Sequence, residues 1–334
     1  MVATTSDLPA FAINAINLAS ARLGAKALYA TDDFFADKSR MLQDTPAIFQ
    51  ADRYDDHGKW MDGWESKRRR NGGHDYCIVK LGTKGVIRGA DIDTSHFTGN
   101  YPPAASLDAC VSLEDPDDKT IWTPILAPVS LGPSAHHFHA INNEWAWTHL
   151  KLNIYPDGGV ARLRVYGEPV PAWESKDRGA THELSLANNG GRILAYNDAH
   201  YGSVWTLLTT GRGVNMGDGW ETRRRREPGN DWIIVKLGAP GIVERIEVDT
   251  CHYKGNYPDA CSLQAALVTS ATESSIVTEA MFWPELLGKQ KLQADQIHSF
   301  SGEALAGLGA VSHVKLNIYP DGGISRLRVF GRLA

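Results

Sequence analysis

Apolar and polar residues alternate with period two near the end of each half of the chain. Leu152, Ile154, Leu163 and Val165 interleave with Lys151, Asn153, Tyr155, Arg162, Arg164 and Tyr166 around Pro156-Asp157-Gly158-Gly159. That period turns one face of an extended segment to a core, and glycine supplies the positive φ of the intervening turn. Two half-buried strands joined by a turn are therefore predicted. Residues 76–81 and 232–237 are short, rich in β-branched and aromatic side chains and followed by Gly, as strands are. Residues 86–93 and 242–249 follow at strand length. No long window of period 3.6 competes, and the pattern allows one short helix, over residues 12–23. Many short strands separated by turn signals predict an all-β chain of antiparallel sandwiches.

These elements occur twice. Asp62-Gly63-Trp64-Glu65 returns as Asp218-Gly219-Trp220-Glu221, and the loop His96-Phe97-Thr98-Gly99-Asn100-Tyr101-Pro102 as His252-Tyr253-Lys254-Gly255-Asn256-Tyr257-Pro258, both at an offset of 156 residues. From Asp62 to Leu107 about half of the aligned positions are identical, beyond what shared secondary structure gives. The block from Lys151 to Gly159 returns from Lys315 to Gly323 at an offset of 164, so the second copy carries eight extra residues between the blocks. Leu18, Ala21, Gly24, Leu28 and Asp32 match Leu184, Ala187, Gly190, Leu194 and Asp198. The expected organisation is a first repeat over residues 1–168, including a lead-in to about residue 16, a polar, proline-marked linker over 169–181 and a second repeat over 182–334.

Composition narrows the function. The 334 residues carry a net charge of -5 and a sequence pI near 6.2, which gives no basic field to draw in nucleic acid or an anionic membrane. No apolar run approaches a membrane span, and the N-terminus lacks the layout of a secretory signal. Cys77, Cys110, Cys251 and Cys261 form no C-x-x-C pair, and the second copy has Ile233 opposite Cys77. A disulfide framework would have been duplicated with the fold, so reduced thiols and a cytoplasmic location are expected.

Polar residues kept in both copies are the candidates for chemistry: Asp62/Asp218, Glu65/Glu221, Asp75/Asp231, Asp93/Asp249, His96/His252, Asn100/Asn256, Tyr101/Tyr257, His149/His313, Asp157/Asp321, Arg162/Arg326 and Arg164/Arg328. To these belong the runs Arg68, Arg69, Arg70 and Arg224, Arg225, Arg226. Arginine offers a planar fork to a carboxylate or ureido oxygen, and Glu accepts from an amide N–H. A plainer reading has Glu65 neutralising an arginine and Trp64 in the core. His96 follows Asp93 by three residues and suits proton transfer. The plainer reading there is a loop held by its own hydrogen bonds. His136, His137 and His139 suggest a metal, yet the second copy offers only His298, aligned with His139, so a solvated loop is the stronger expectation. No P-loop, dinucleotide fingerprint or Ser-His-Asp arrangement is present.

Together, the stretch from Gly58 to Arg69, the loop from Asp93 to Pro102, the Asn-Ile-Tyr-Pro-Asp-Gly-Gly blocks, Asn17-Leu18-Ala19-Ser20 and Asp32-Asp33-Phe34-Phe35-Ala36 resemble the allantoicase family over essentially the whole chain. The resemblance implies two tandem jelly-roll domains of galactose-binding, discoidin-like type. It also implies hydrolysis of allantoate to (S)-ureidoglycolate and urea in allantoin degradation. Lys67, where the second copy has Arg223, shows that this position need not be a bidentate arginine. Allantoate bears one carboxylate and two ureido groups on one carbon. On that basis Arg68, Arg69, Arg70, Arg224, Arg225 and Arg226 are expected to anchor the acid, with Asn100, Tyr101, Asn256 and Tyr257 also binding substrate. Glu65 and Glu221 would hold ureido N–H groups. His96 and His252, supported by Asp93 and Asp249, would activate water or protonate urea. No cofactor is called for by a motif; a divalent metal stays open, since some family members are metal-stimulated. A homo-oligomer, binding neither nucleic acid nor membrane, is expected. Two similar pockets per chain are favoured because both loops occur in both halves. The alternative is a non-catalytic tandem module that binds small acids or carbohydrates.

Overall fold

A computed structural model describes the chain except residues 1–7, 14, 172, 174–178, 270, 271, 273 and 274. It forms two compact units, Met1–Val170 and Pro171–Ala334. The centre of the expected linker lies outside the described residues.

Each unit is built on one 19-residue strand, Asp75–Asp93 in the first and Asp231–Asp249 in the second. The sequence pattern predicted two separate strands here, because Gly82 and Gly85 interrupt it. The chain instead runs through as one strand whose pairing register shifts at that point. Gly82 lies so close to the Leu23 backbone that a Cβ would sit 2.4 Å from that residue, which explains the missing side chain. The N-terminal half of the strand pairs with Lys26–Ala30 and Ala146–Tyr155, and the C-terminal half with Arg162–Pro169 and Phe138–Ala140. All pairings are antiparallel, and the second unit repeats them. A strand that changes partners midway serves both layers of a sandwich, as the strand pattern predicted and as the jelly-roll architecture implied by the family resemblance requires.

The strands flanking Pro156–Gly159 are present, but each pairs with the long strand rather than with the other. Leu152, Ile154, Leu163 and Val165 are buried, as alternation requires. Arg162 departs from that pattern, since it is buried too. Its Nη2 donates to Asp62 Oδ2 at 2.7 Å, and further guanidinium bonds reach the carbonyls of Asp62 (2.9 Å), Ala161 (2.7 Å) and Thr45 (2.8 Å). Arg326 and Asp218 form the same pair at 3.0 Å. These ion pairs pin the segment entering Trp64–Glu65, or Trp220–Glu221, to a core strand.

The helix expected over residues 12–23 does not form. Short 3-10 turns, Ala10–Ala12 and Ala21–Leu23, flank the strand Ile16–Asn17. Asn17 Oδ1 accepts from the amides of Ala19 (3.2 Å) and Val165 (2.8 Å), and Ser20 Oγ accepts from Arg22 N at 3.1 Å. Such side-chain bonds offer the backbone an alternative to helix. All four cysteines are buried and unbridged.

Candidate active site

Three segments retained in both copies meet at one end of each sandwich. Gly159 pairs with Glu65 across a short two-stranded sheet, and its amide donates to the Asn100 carbonyl at 2.7 Å. A Cβ on Gly158, at φ 137, would lie 2.6 Å from Pro102 N, so only glycine lets the turn press on the loop. Glu65 and Asn100 are thereby brought together, and Asn100 Nδ2 donates to Glu65 Oε1 at 2.6 Å. Asn256 donates to Glu221 in the same way. Burial pushes the Glu65 carboxyl above the usual carboxylate range, opposed by the Asn100 amide. Trp64 and Trp220 are core residues, each indole donating at 2.8 Å to the carbonyl of Asp32 or Asp198.

In the second unit a surface cavity of ≈ 800 Å³ opens on this pair, with Glu221, Asn256, Tyr257, His200, Arg223 and Arg224 in its wall. The arginine run divides by role. Arg225 Nη1 is held by Asp231 Oδ1 at 2.9 Å and its amide by Asp321 Oδ2 at 2.8 Å. Arg69 is tied to Asp75 likewise, with its amide on Asp157 Oδ2 at 2.7 Å. Arg68, Arg70, Arg224 and Arg226 are exposed and have no hydrogen-bond or ion-pair partner among the described residues. Arg224 thus offers an uncommitted guanidinium to the cavity, Arg68 is its first-repeat counterpart, and Arg226 lies on a smaller recess of ≈ 320 Å³ beyond the loop. Tyr101 packs on the cluster of Ala36, Met61, Phe97 and Ala161. The salt bridge of the plainer reading, between Glu65 and a neighbouring arginine, is absent among the described residues, Asn100 taking its place.

The expected Asp–His pairs do not form. His96 Nε2 contacts the Ala47 carbonyl at 3.1 Å, and His252 Nε2 the Gly213 carbonyl at 2.8 Å. Both histidines have φ 70, so the loop turns sharply there and aims the ring at a neighbouring loop. Asp93 Oδ1 accepts from Ser95 N at 2.8 Å, while Asp249 takes both forks of Arg212 at 3.0 Å. Neither His252 nor Asp249 lines the cavity. Their bonds hold in place the loop that presents Asn256 and Tyr257.

The histidine cluster is also structural. His136 Nδ1 lies 2.8 Å from Asp91 Oδ2, and His137 contacts the Ile92 carbonyl while accepting from Gly132 N. His298 contacts Val248 and accepts from Gln293 N in the same pattern, so it corresponds to His137 and not to His139. Among the described residues no three His, Cys, Asp or Glu side chains converge as metal ligands. The donors among the described residues do not make a set that fits a resident divalent ion.

His200 went unnoticed in the sequence because only one copy has it. The first repeat carries Phe34 at the same distance from its indole-bonded aspartate, so a search for shared residues passes over the position. The mismatch itself was the available signal.

Fold and site together define a duplicated β-sandwich protein that displays a carboxylate–amide pair in each repeat, beside an unpaired guanidinium in the cavity of the second. The allantoicase repeat profile matches residues 16–170 and 182–334. The chain belongs to the allantoicase family. It is 57% identical over 329 residues to a probable allantoicase 2 of Burkholderia pseudomallei, covering 98% of each chain. It is equally 57% identical over 330 residues to a probable allantoicase of Rhizobium meliloti, covering 98% of this chain and 96% of that one. The crystal structure of allantoicase from Saccharomyces cerevisiae superposes with a TM-score of 0.78 at 35% identity, over 95% of this chain and 93% of that one.

Proposed function

We propose that the protein is a hydrolase that cuts one central C–N bond of allantoate, releasing urea and leaving ureidoglycolate. Arg224 in the second repeat, and Arg68 in the first, bind the substrate carboxylate through a charge-assisted fork. Asn256 and Asn100 fix one oxygen of Glu221 and Glu65. The other oxygen is then free to take a proton from the attacking water, and the raised affinity of Glu65 for protons strengthens it as a base. Tyr257 completes the wall on which the remaining ureido group rests. His96 and His252, with Asp93 and Asp249, act by positioning the Asn-Tyr segment. The buried, unbridged cysteines suit a cytoplasmic enzyme.

The observation that carries this reading is the Glu–Asn pair built identically in both repeats, opening in the second onto a cavity that also holds an unpaired arginine. Urea release from allantoate by the purified chain is the direct test. Glu65→Gln with Glu221→Gln is expected to lower kcat by about 100-fold or more, as loss of a general base does. Absence of urea from the unaltered chain would leave a binding module as the better description.

A further inference from the structure

Water activation accounts for one proton of the reaction. The ureido nitrogen that leaves must gain another, and neither an arginine anchor nor an amide is a ready donor. In the second repeat the cavity wall holds one imidazole, His200, whose backbone amide donates to the Glu221 carbonyl at 2.9 Å. The side chain is exposed, and its ring meets Tyr201 edge-on at 4.4 Å between centroids.

The first repeat has Phe34 at this position, but it reaches an imidazole by another route. Ile48 N and Val214 N both bond the buried aspartate of their own repeat at 2.9 Å, so they are equivalent anchors. From Ile48 to Asp62 is 14 residues and from Val214 to Asp218 is four, a difference of ten. The additional residues carry a hairpin, Tyr54–Asp55 paired with Gly58–Lys59, with His57 in its turn. Asp55 Oδ1 accepts from His57 N at 3.0 Å, which shapes the turn. The His57 ring lies against Phe34 with centroids 4.2 Å apart. Lys67, counterpart of the cavity residue Arg223, also packs on Phe34, its Nζ 3.9 Å from the ring centroid. An insertion thus delivers to the Phe34 corner the group that a single residue supplies in the other repeat.

We propose that this imidazole, His200 in the second repeat and His57 in the first, donates the proton to the departing ureido nitrogen. The inference rests on the hydrolytic reading above. In the balanced step the water oxygen bonds to the central carbon as its C–N bond breaks. Glu takes the water proton, the imidazolium gives its proton to the nitrogen, and solvent returns the proton from Glu to the imidazole. Allantoate and water become ureidoglycolate and urea with no change of oxidation state.

Both histidines are exposed, so their replacement leaves the cores intact, and thermal melting checks this. In the full chain, His57→Ala with His200→Ala is expected to lower kcat for urea release by about 100-fold, KM changing by a few-fold at most. Added imidazole is expected to restore turnover at least several-fold, the signature of a missing proton donor rather than a displaced loop. Turnover above half that of the unaltered chain, or a defect that imidazole does not relieve, overturns the assignment. If Glu65→Gln with Glu221→Gln is inactive while the histidine variant runs at full speed, only the proton donor is wrong. If that glutamate variant also turns over normally, the hydrolytic site itself has been misplaced.

Discussion

Asp62→Ala tests whether a residue kept in both copies serves the core rather than the ligand. The substitution leaves Arg162, with 0% of its side chain exposed, without its counter-charge. Breaking a buried ion pair from one side costs about 3–5 kcal/mol, because the remaining charge stays desolvated. The carbonyl partners of Arg162 remain and hold the loss below what an isolated charge would cost. For a unit of this size each kcal/mol moves the midpoint by about 2–4 °C, so a fall of roughly 6–20 °C is expected in the transition of the first unit. Differential scanning calorimetry measures it, with Asp218→Ala as the parallel change in the second unit. Replacing both members, Asp62→Leu with Arg162→Met, removes the stranded charge and should recover much of the loss. A cost below about 1 kcal/mol for Asp62→Ala would mean that Arg162 is not sealed from solvent, and the division of shared residues into core and site would fail with it.

Two further outcomes follow from the same geometry. Arg224→Lys with Arg68→Lys keeps the charge but loses the fork, and KM for allantoate should rise about tenfold or more while kcat changes less; an unchanged KM in steady-state assays would remove these arginines from the site. His313 is buried and its pKa is lowered to about 4, first by burial and then by Lys236 and Arg192. Its neutral form therefore stabilises the second unit fully above the unfolded value near 6.5, and that contribution is lost as pH falls through the folded value. Urea unfolding should show the second unit weaker by about 2–3 kcal/mol near pH 4.5 than at pH 7.5, and His313→Leu should flatten that dependence; an equally steep loss in the variant would place its origin elsewhere.

Alternation made the strands legible, because burial of Leu152, Ile154, Leu163 and Val165 is a local property of extended chain. Pairing is not local. Nothing in the order of residues told that the strands around Pro156–Gly159 would separate to flank Asp75–Asp93, nor that Gly82 marks a change of layer rather than an end. Repetition drew attention to Glu65, Asn100 and the arginines, yet it ranked Asp62, Asp93, His96 and Arg162 equally with them. A duplicated fold retains its internal ion pairs as faithfully as its site, and composition alone does not reveal which carboxylate is already satisfied. His200 shows the converse failure, since a group supplied from different segments in the two repeats leaves no shared letter.

Saturation separates the two kinds of retained residue. Arg162 and Arg326 use their donors inside the core, while Arg69 and Arg225 are each held by a buried carboxylate, Asp75 and Asp231. Arg68 and Arg224 stand one residue earlier in the same loop with nothing bound. Arg224 and Arg225 both stand in the cavity wall, and Arg225 is tied there by carboxylates of its own repeat. Asp231 and Asp321 thus fix the side chain and backbone of the residue that follows Arg224, and so hold the loop that carries it. Fixing that loop during folding meets part of its ordering cost in advance, so the proposed contact of Arg224 with a substrate carboxylate keeps more of its interaction energy for binding.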